Sequence, residues 1–261
     1  MTIWDALVLG FIQGATEFLP VSSSGHLVMG QTLLGLHMAG VVFDATVHGA
    51  TLVSILVAYR SRLGHLIGGV FGADGGAWRY VGLVSLATVP AALVGLLWKD
   101  QVEALFNAPR TVGIALLVTG GILWTSRAAL RRQDWSAPGW GTALLVGIAQ
   151  VFALVPGISR SGTTVVAALW LGVEPTEAAA FSFMMAIPAL GGAAILQIPD
   201  MRAGVGGVPA AALVAGSVVA AITGILAIWA FLAMLRHRAF HRFAPYCWIV
   251  GLAFLAYLAL R

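Results

Sequence analysis

Residues Leu7–Gly30 read LVLGFIQGATEFLPVSSSGHLVMG, and 137 positions later Leu144–Ala167 read LLVGIAQVFALVPGISRSGTTVVA. Aligned without a gap, the pairs Leu7/Leu144, Gly10/Gly147, Gln13/Gln150, Ser22/Ser159, Ser24/Ser161, Gly25/Gly162 and Val28/Val165 are identical. Each copy consists of two short apolar arms around a centre rich in proline, serine and glycine. The mismatches carry the chemistry. Glu17, Ser23 and His26 of the first copy stand opposite Leu154, Arg160 and Thr163 of the second. A carboxylate, hydroxyls and an imidazole on one side and a guanidinium on the other outline a site for an anion.

The surroundings of these segments fix the solvent. Hydrophobic residues make up 60% of the chain and charged residues only 9%, and no Asp, Glu, Lys or Arg occurs in the 33 residues from Ala203 to Leu235. A bilayer core is crossed by about 20 apolar helical residues. The chain therefore reads as an all-α polytopic membrane protein, and a soluble domain is excluded. The opening MTIWDALVLG has no basic residue, so no cleavable signal is expected. The net charge of +4 comes from loop arginines and implies no nucleic-acid partner. Cys247, the single cysteine, reads as a core filler.

Six crossings are predicted, at Gly40–Tyr59, Tyr80–Trp98, Thr111–Ser126, Ala178–Ile198, Val208–Leu235 and Phe243–Leu260. Arms such as Ile3–Thr16 and Leu27–Leu36 are too short to cross. Irregular backbone at membrane depth survives only inside a protein cavity, so each repeated segment is expected to be a re-entrant helix–loop–helix. One membrane domain then comprises two repeats, about 1–136 and 137–261, each a re-entrant hairpin plus three crossings. An odd number of crossings inverts the second repeat. With six crossings, Arg60, Arg62, Arg79, Arg127, Arg131, Arg132, Arg236, Arg238 and Arg242 share one side, against Lys99, Arg110, Arg202 and Arg261. The positive-inside rule places the first group in the cytoplasm and both termini outside, with the first hairpin opening outward and the second inward.

Ionised groups at membrane depth cost about 2.5–3.5 kcal/mol each on insertion scales. Glu17 and Arg160 are therefore kept for an ion pair that pins the hairpins together, or for chemistry. Gly25, Gly157 and Gly162 allow close backbone approach, and the second arms, starting near Gly25 and Gly162, aim helix N-termini at the centre, where anions are favoured. The fork of Arg160 suits phosphate oxygens. Ser22, Ser24, Ser159, Ser161, Thr163 and Thr164 are candidate substrate-binding hydroxyls, with Ser22 and Ser161 expected as caps. Asp44 and His48, one turn apart in the first crossing, read as interhelical hydrogen-bonding groups or as support behind the site.

The runs QGATEFLPVSSSGH at 13–26, PGISRSGTT at 156–164 and AFSFMMAIP at 180–188 resemble the undecaprenyl-pyrophosphate phosphatase, or bacitracin-resistance, family, over nearly the whole chain. The resemblance implies hydrolysis of a C55 isoprenoid pyrophosphate to the monophosphate, recycling the lipid carrier of cell-wall synthesis, in the bacterial inner membrane with the site facing the periplasm. It maps catalytic roles onto Glu17, Ser23, His26 and Arg160. It also implies a divalent cation, Mg²⁺ or Ca²⁺, on Glu17 with Gln13, where the two-acid version of the motif has a second carboxylate. Two routes fit these residues: attack by Ser23, with His26 or Glu17 taking its proton, or attack by water activated at Glu17 or His26. A transporter of the lipid phosphate would need the same anion cradle but no Glu17–Ser23–His26 set. The expected partners are the C55 lipid and the membrane lipids, and a homodimer is compatible with the sequence.

Overall fold

The computed structural model describes residues 1–35, 41–132, 134–204 and 208–260, without side-chain detail at 41 and 196–204. Leu36, Gly40 and Arg261, which bounded expected elements or entered the charge count, lie outside the described residues. Among the described residues there is no β-strand, only an isolated bridge between Ser136 and Val173.

The helices are α1 (Ile3–Phe18), α2 (Ser23–Leu34), α3 (Val41–Ala58), α4 (Arg60–Phe71), α5 (Gly75–Leu97), α6 (Lys99–Phe106), α7 (Pro109–Ala129), α8 (Trp140–Phe152), α9 (Arg160–Trp170), α10 (Pro175–Gly204), α11 (Ala210–Arg236) and α12 (Phe243–Leu260). Local signals explain where they start. Thr2 and Asp5 form a capping box on α1, Asp74 caps α5, and Ser22 and Ser159 cap α2 and α9. Gly35, at φ 65°, ends α2 in the left-handed region.

Five of the described helices are long and apolar enough to cross a membrane, and α3 and α4, bent 79° at Tyr59, make a sixth candidate when taken together as one broken span. All six overlap the expected crossings. Phe11, Ile114, Trp229 and Ile249 are each more than half exposed, as residues facing lipid would be. The chain is a multi-pass membrane protein.

α4 and α6 were not expected. Each occupies a stretch that read as a charged connection, α4 around Arg60 and Arg62, α6 around Lys99, Asp100 and Glu103. α4 is tied down where it starts, because Arg62 makes a two-pronged ion pair with Glu177 of α10 at 2.8 and 2.7 Å and lies over the ring of Tyr80.

The repeated segments form the two helix–break–helix units α1–α2 and α8–α9. Their helices have 16, 12, 13 and 11 residues, about 16–24 Å long, short of the ~30 Å hydrocarbon core. α2 folds back on α1, so that Gly30 lies against Leu9 and Ile12. Each first arm then packs on a long helix of the other half: α1 on α11, and α8 on α5. Glycine makes both contacts possible. A Cβ built at Gly10 would fall on the carbonyl of Gly216, and one at Gly147 would fall on that of Ala87. Such close backbone approach is how helices associate without a hydrophobic driving force. Between the halves, α3 packs on α10 and α7 on α12. The two breaks meet at the centre of this bundle.

Candidate active site

α1 ends where Pro20 cannot continue it, and this leaves Glu17 in its last turn facing the break. Glu17 is 7% exposed. One turn earlier, Gln13 donates its Nε2 to Glu17 Oε2 at 3.0 Å. After the break, Ser22 caps α2, so Ser23 is its first helical residue, and the Ser23 hydroxyl donates to Glu17 Oε2 at 2.5 Å. The second break repeats this construction. Ser159 caps α9, Arg160 is its first residue, and Arg160 Nη2 donates to Glu17 Oε1 at 2.9 Å. Ser23 and Arg160 occupy the same slot of the two repeats, and the carboxylate sits between them. Arg160 Nη1 is also held by the carbonyl of Ser182 on α10 at 3.3 Å.

Backbone contacts hold the breaks in register. Ser22 Oγ accepts from the Gly157 amide at 3.2 Å, and Thr119 on α7 donates to the Gly157 carbonyl at 2.8 Å. Gly157 is at φ 100°, and a Cβ there would strike the Val112 carbonyl. Glycine is required for both reasons. Below Glu17, Phe18, Phe183, Phe231 and Phe240 stack edge to face at centroid distances of 5.6, 5.0 and 5.0 Å, giving the polar cluster a dry, packed floor.

The helices begin at Ser23 and Arg160, two residues before the glycines at which the sequence placed them. The caps are Ser22 and Ser159, and the expectation that Ser161 is a cap is corrected: its hydroxyl pairs with Ser159 and the Leu19 carbonyl. The physical reason is the slot. Only the residue before the first turn has its side chain beside the free amides. The amides of Ser23, Ser24, Arg160 and Ser161 have no acceptor within their own helices, so two helix N-termini converge near Glu17.

The candidate substrate-binding residues fall into two groups. Ser22, Gly25, Ser159, Ser161, Gly162 and Thr164 are buried in the brace between the hairpins; Thr164, for example, bonds Ser182 at 2.6 Å. The hydroxyl of Thr163 is buried with no partner. Ser23, Ser24, His26 and Arg160 are only partly buried.

The structure brings Gln13, Glu17, Ser23 and Arg160 together as expected. His26 is not hydrogen-bonded into this set: its Nδ1 lies 2.8 Å from the Ser22 carbonyl and its Nε2 2.8 Å from the hydroxyl of Tyr246 on α12. Among the described residues the imidazole paired with the carboxylate is instead His48 on α3, with Nε2 4.0 Å from Glu17 Oε2 and Nδ1 on the Asp44 carbonyl at 2.7 Å. The Asp44 carboxylate accepts from Gln31 Nε2. Sequence reasoning noted His48 but could not direct it at Glu17, and it did not find Tyr246.

No three His, Cys, Asp or Glu side chains cluster for a metal ion among the described residues. An all-protein cage is therefore not built here. What is present is one carboxylate, Glu17, beside the amide oxygen Gln13 Oε1, which is buried and without a partner. Hard oxygen donors of this kind fit a divalent cation that draws its other ligands from phosphate and water.

Comparison with known proteins agrees with the motif reading. Residues 6–253 match the family model of bacitracin resistance protein BacA. An undecaprenyl-diphosphatase of Desulforapulum autotrophicum is 39% identical, with 97% of each chain covered. Similar relatives under that name come from Syntrophotalea carbinolica, at 40% identity over 98% of this chain and 99% of its own, and Alcanivorax borkumensis, at 38% over 99% and 100%. By motif, length and coverage, this chain belongs to the bacitracin resistance protein BacA family.

Proposed function

We propose that this chain is an undecaprenyl-diphosphatase, removing the terminal phosphate of a C55 isoprenoid diphosphate in a bacterial cytoplasmic membrane. The observation that carries the reading is the hydrogen bond from Ser23 to Glu17, with Arg160 of the other hairpin on the same carboxylate. A cradle for transport alone has no use for a hydroxyl primed by a buried carboxylate, and the names of the relatives favour hydrolysis.

The hydrogen bond from Ser23 to Glu17 favours the serine route. The terminal phosphate displaces Arg160 from Glu17 and takes its guanidinium together with the amides at the starts of α2 and α9. Glu17, freed of its counter-ion, accepts the Ser23 proton at Oε2 as Ser23 Oγ attacks the terminal phosphorus. The bond from that phosphorus to the bridging oxygen breaks, and the lipid monophosphate leaves. Water then attacks the seryl phosphate, Glu17 returns its proton to Ser23 Oγ as the bond to phosphorus breaks, and the water's protons leave with the inorganic phosphate. Glu17 and Gln13 Oε1 would hold a divalent cation, whose contribution is to neutralise phosphate charge.

Two further features belong to this reading. The exchange of partners, α1 on α11 and α8 on α5, supports two halves inserted in opposite orientations. The distribution of arginines supports a site opening to the periplasm. The test is phosphate release from C55 diphosphate by purified protein, with and without a chelator. Turnover that Ser23→Ala leaves unchanged would remove the serine from its assigned role, and absence of any phosphate release would sink the phosphatase reading.

A further inference from the structure

Tyr246 lies on α12, outside both repeated segments, yet its hydroxyl is 2.8 Å from His26 Nε2 and its ring is stacked on the imidazole, 6° from parallel with centroids 5.7 Å apart. The chemistry of the partners orders this contact. His26 Nδ1 faces the Ser22 carbonyl, which can only accept, so Nδ1 carries the proton and Nε2 offers a lone pair to the Tyr246 hydroxyl. The anchor of this chain is itself strained. Ser22 stands at φ 71°, a conformation that its carbonyl contact with His26 and its hydroxyl contact with Gly157 help to hold. The next residue on α12, Cys247, places its sulfur 4.0 Å from the Pro20 carbonyl, so the first turn of α12 is seated on the loop joining α1 to α2.

We propose that Tyr246 is a positioning residue of the phosphatase: through its hydroxyl it holds the His26 imidazole, with its proton on Nδ1, in place on the first turn of α2. His26 follows Ser23 by three positions on α2, which puts both on one face of that helix. Tyr246 holds the imidazole there from the other half of the molecule, and since its hydroxyl takes up the Nε2 lone pair, what it fixes is the ring's position and tautomer. The stacked ring alone fills space; the hydroxyl is what orients. This inference rests on the role in turnover that the family resemblance implies for His26.

Tyr246→Phe keeps the stack and removes the hydroxyl. The expected result is a fall in kcat of about tenfold with KM within about twofold of wild type, since the lost interaction acts on the chemical step. In a His26→Asn background, followed with radiolabelled diphosphate, the same substitution should cost no further activity. Wild-type kcat in Tyr246→Phe, a change confined to KM, or an equal loss in both backgrounds would each overturn the assignment; the last would make Tyr246 a packing residue. Should His26→Asn itself turn over normally, the reading of His26 has failed. If it is slow while Tyr246→Phe is normal, only the tyrosine's role falls.

Discussion

Arg160 and Glu17 form an ion pair at 2.9 Å with side chains 15% and 5% exposed, and removing either partner strands the other. Loss of one member of a buried pair costs about 3–5 kcal/mol of stability. Glu17→Gln is milder, because the amide oxygen still accepts from Arg160, so it separates chemistry from folding. We expect Glu17→Gln to lower turnover by about 100-fold or more while the protein still purifies folded in detergent. Arg160→Lys should lower it comparably, because a point charge cannot span two phosphate oxygens. Phosphate-release assays on both variants check this, and full activity of Arg160→Lys would show that charge alone suffices. His48, at 4.0 Å from the same carboxylate, is expected to matter as well, and His48→Ala should lose about tenfold in turnover. Glu17, Ser23 and Arg160 were legible in the sequence because polarity inside an apolar stretch needs a reason. His48 was noted only as a hydrogen-bonding group or support behind the site, and Tyr246 was not found. The first reaches Glu17 from the next helix, and the second meets His26 across 220 positions, distances that only the packed fold closes.

At the scale of elements, the crossings were read from apolar length, and the hairpins from the repeat and their brevity. α4 and α6 were missed because 12 and 8 residues with several charges look like connection, and what orders α4 is its partner on α10. Ser22 was expected as a cap and is one, but in the second hairpin the cap was placed at Ser161, two residues late, because glycine marked the close approach and not the helix start. Gly25 in fact abuts Gly157, where a Cβ would come within 2.9 Å of the neighbouring Cα. The glycines give the element-scale prediction. At Gly147 a Cβ would meet the backbone of Ala87, which cannot rotate away as a side chain would. Gly147→Val should therefore force α8 off α5 and destabilise the protein by roughly 1–3 kcal/mol, as overpacking does. Gly95, which has open space around it, is the control, and Gly95→Ala should be nearly silent. Detergent melting temperatures compare the two, and equal shifts would mean the α5–α8 contact is not tight in the folded protein.

The molecule as a whole has its candidate reactive set on one hairpin and the arginine that pairs with it on the other. Glu17, Ser23 and His26 belong to α1 and α2, and Arg160 to α9. Which face of the membrane reaches them is set by topology. Nine arginines fall on one side of a six-crossing arrangement, against one lysine and three arginines on the other, and the crowded side is expected in the cytoplasm. The first hairpin then opens outward. A cysteine introduced beside Met1 should react with an impermeant label on intact cells, and one beside Arg131 only after lysis. Reaction of the Arg131 site from outside would reverse the orientation. The family resemblance implies the same side. A diphosphate headgroup is too strongly charged to cross the hydrocarbon core unaided, so the pocket must open on the leaflet where its substrate arises. An impermeant phosphate-mimicking inhibitor added outside intact cells should accordingly stop turnover, and an inhibitor effective only on inverted vesicles would place the opening on the cytoplasmic face.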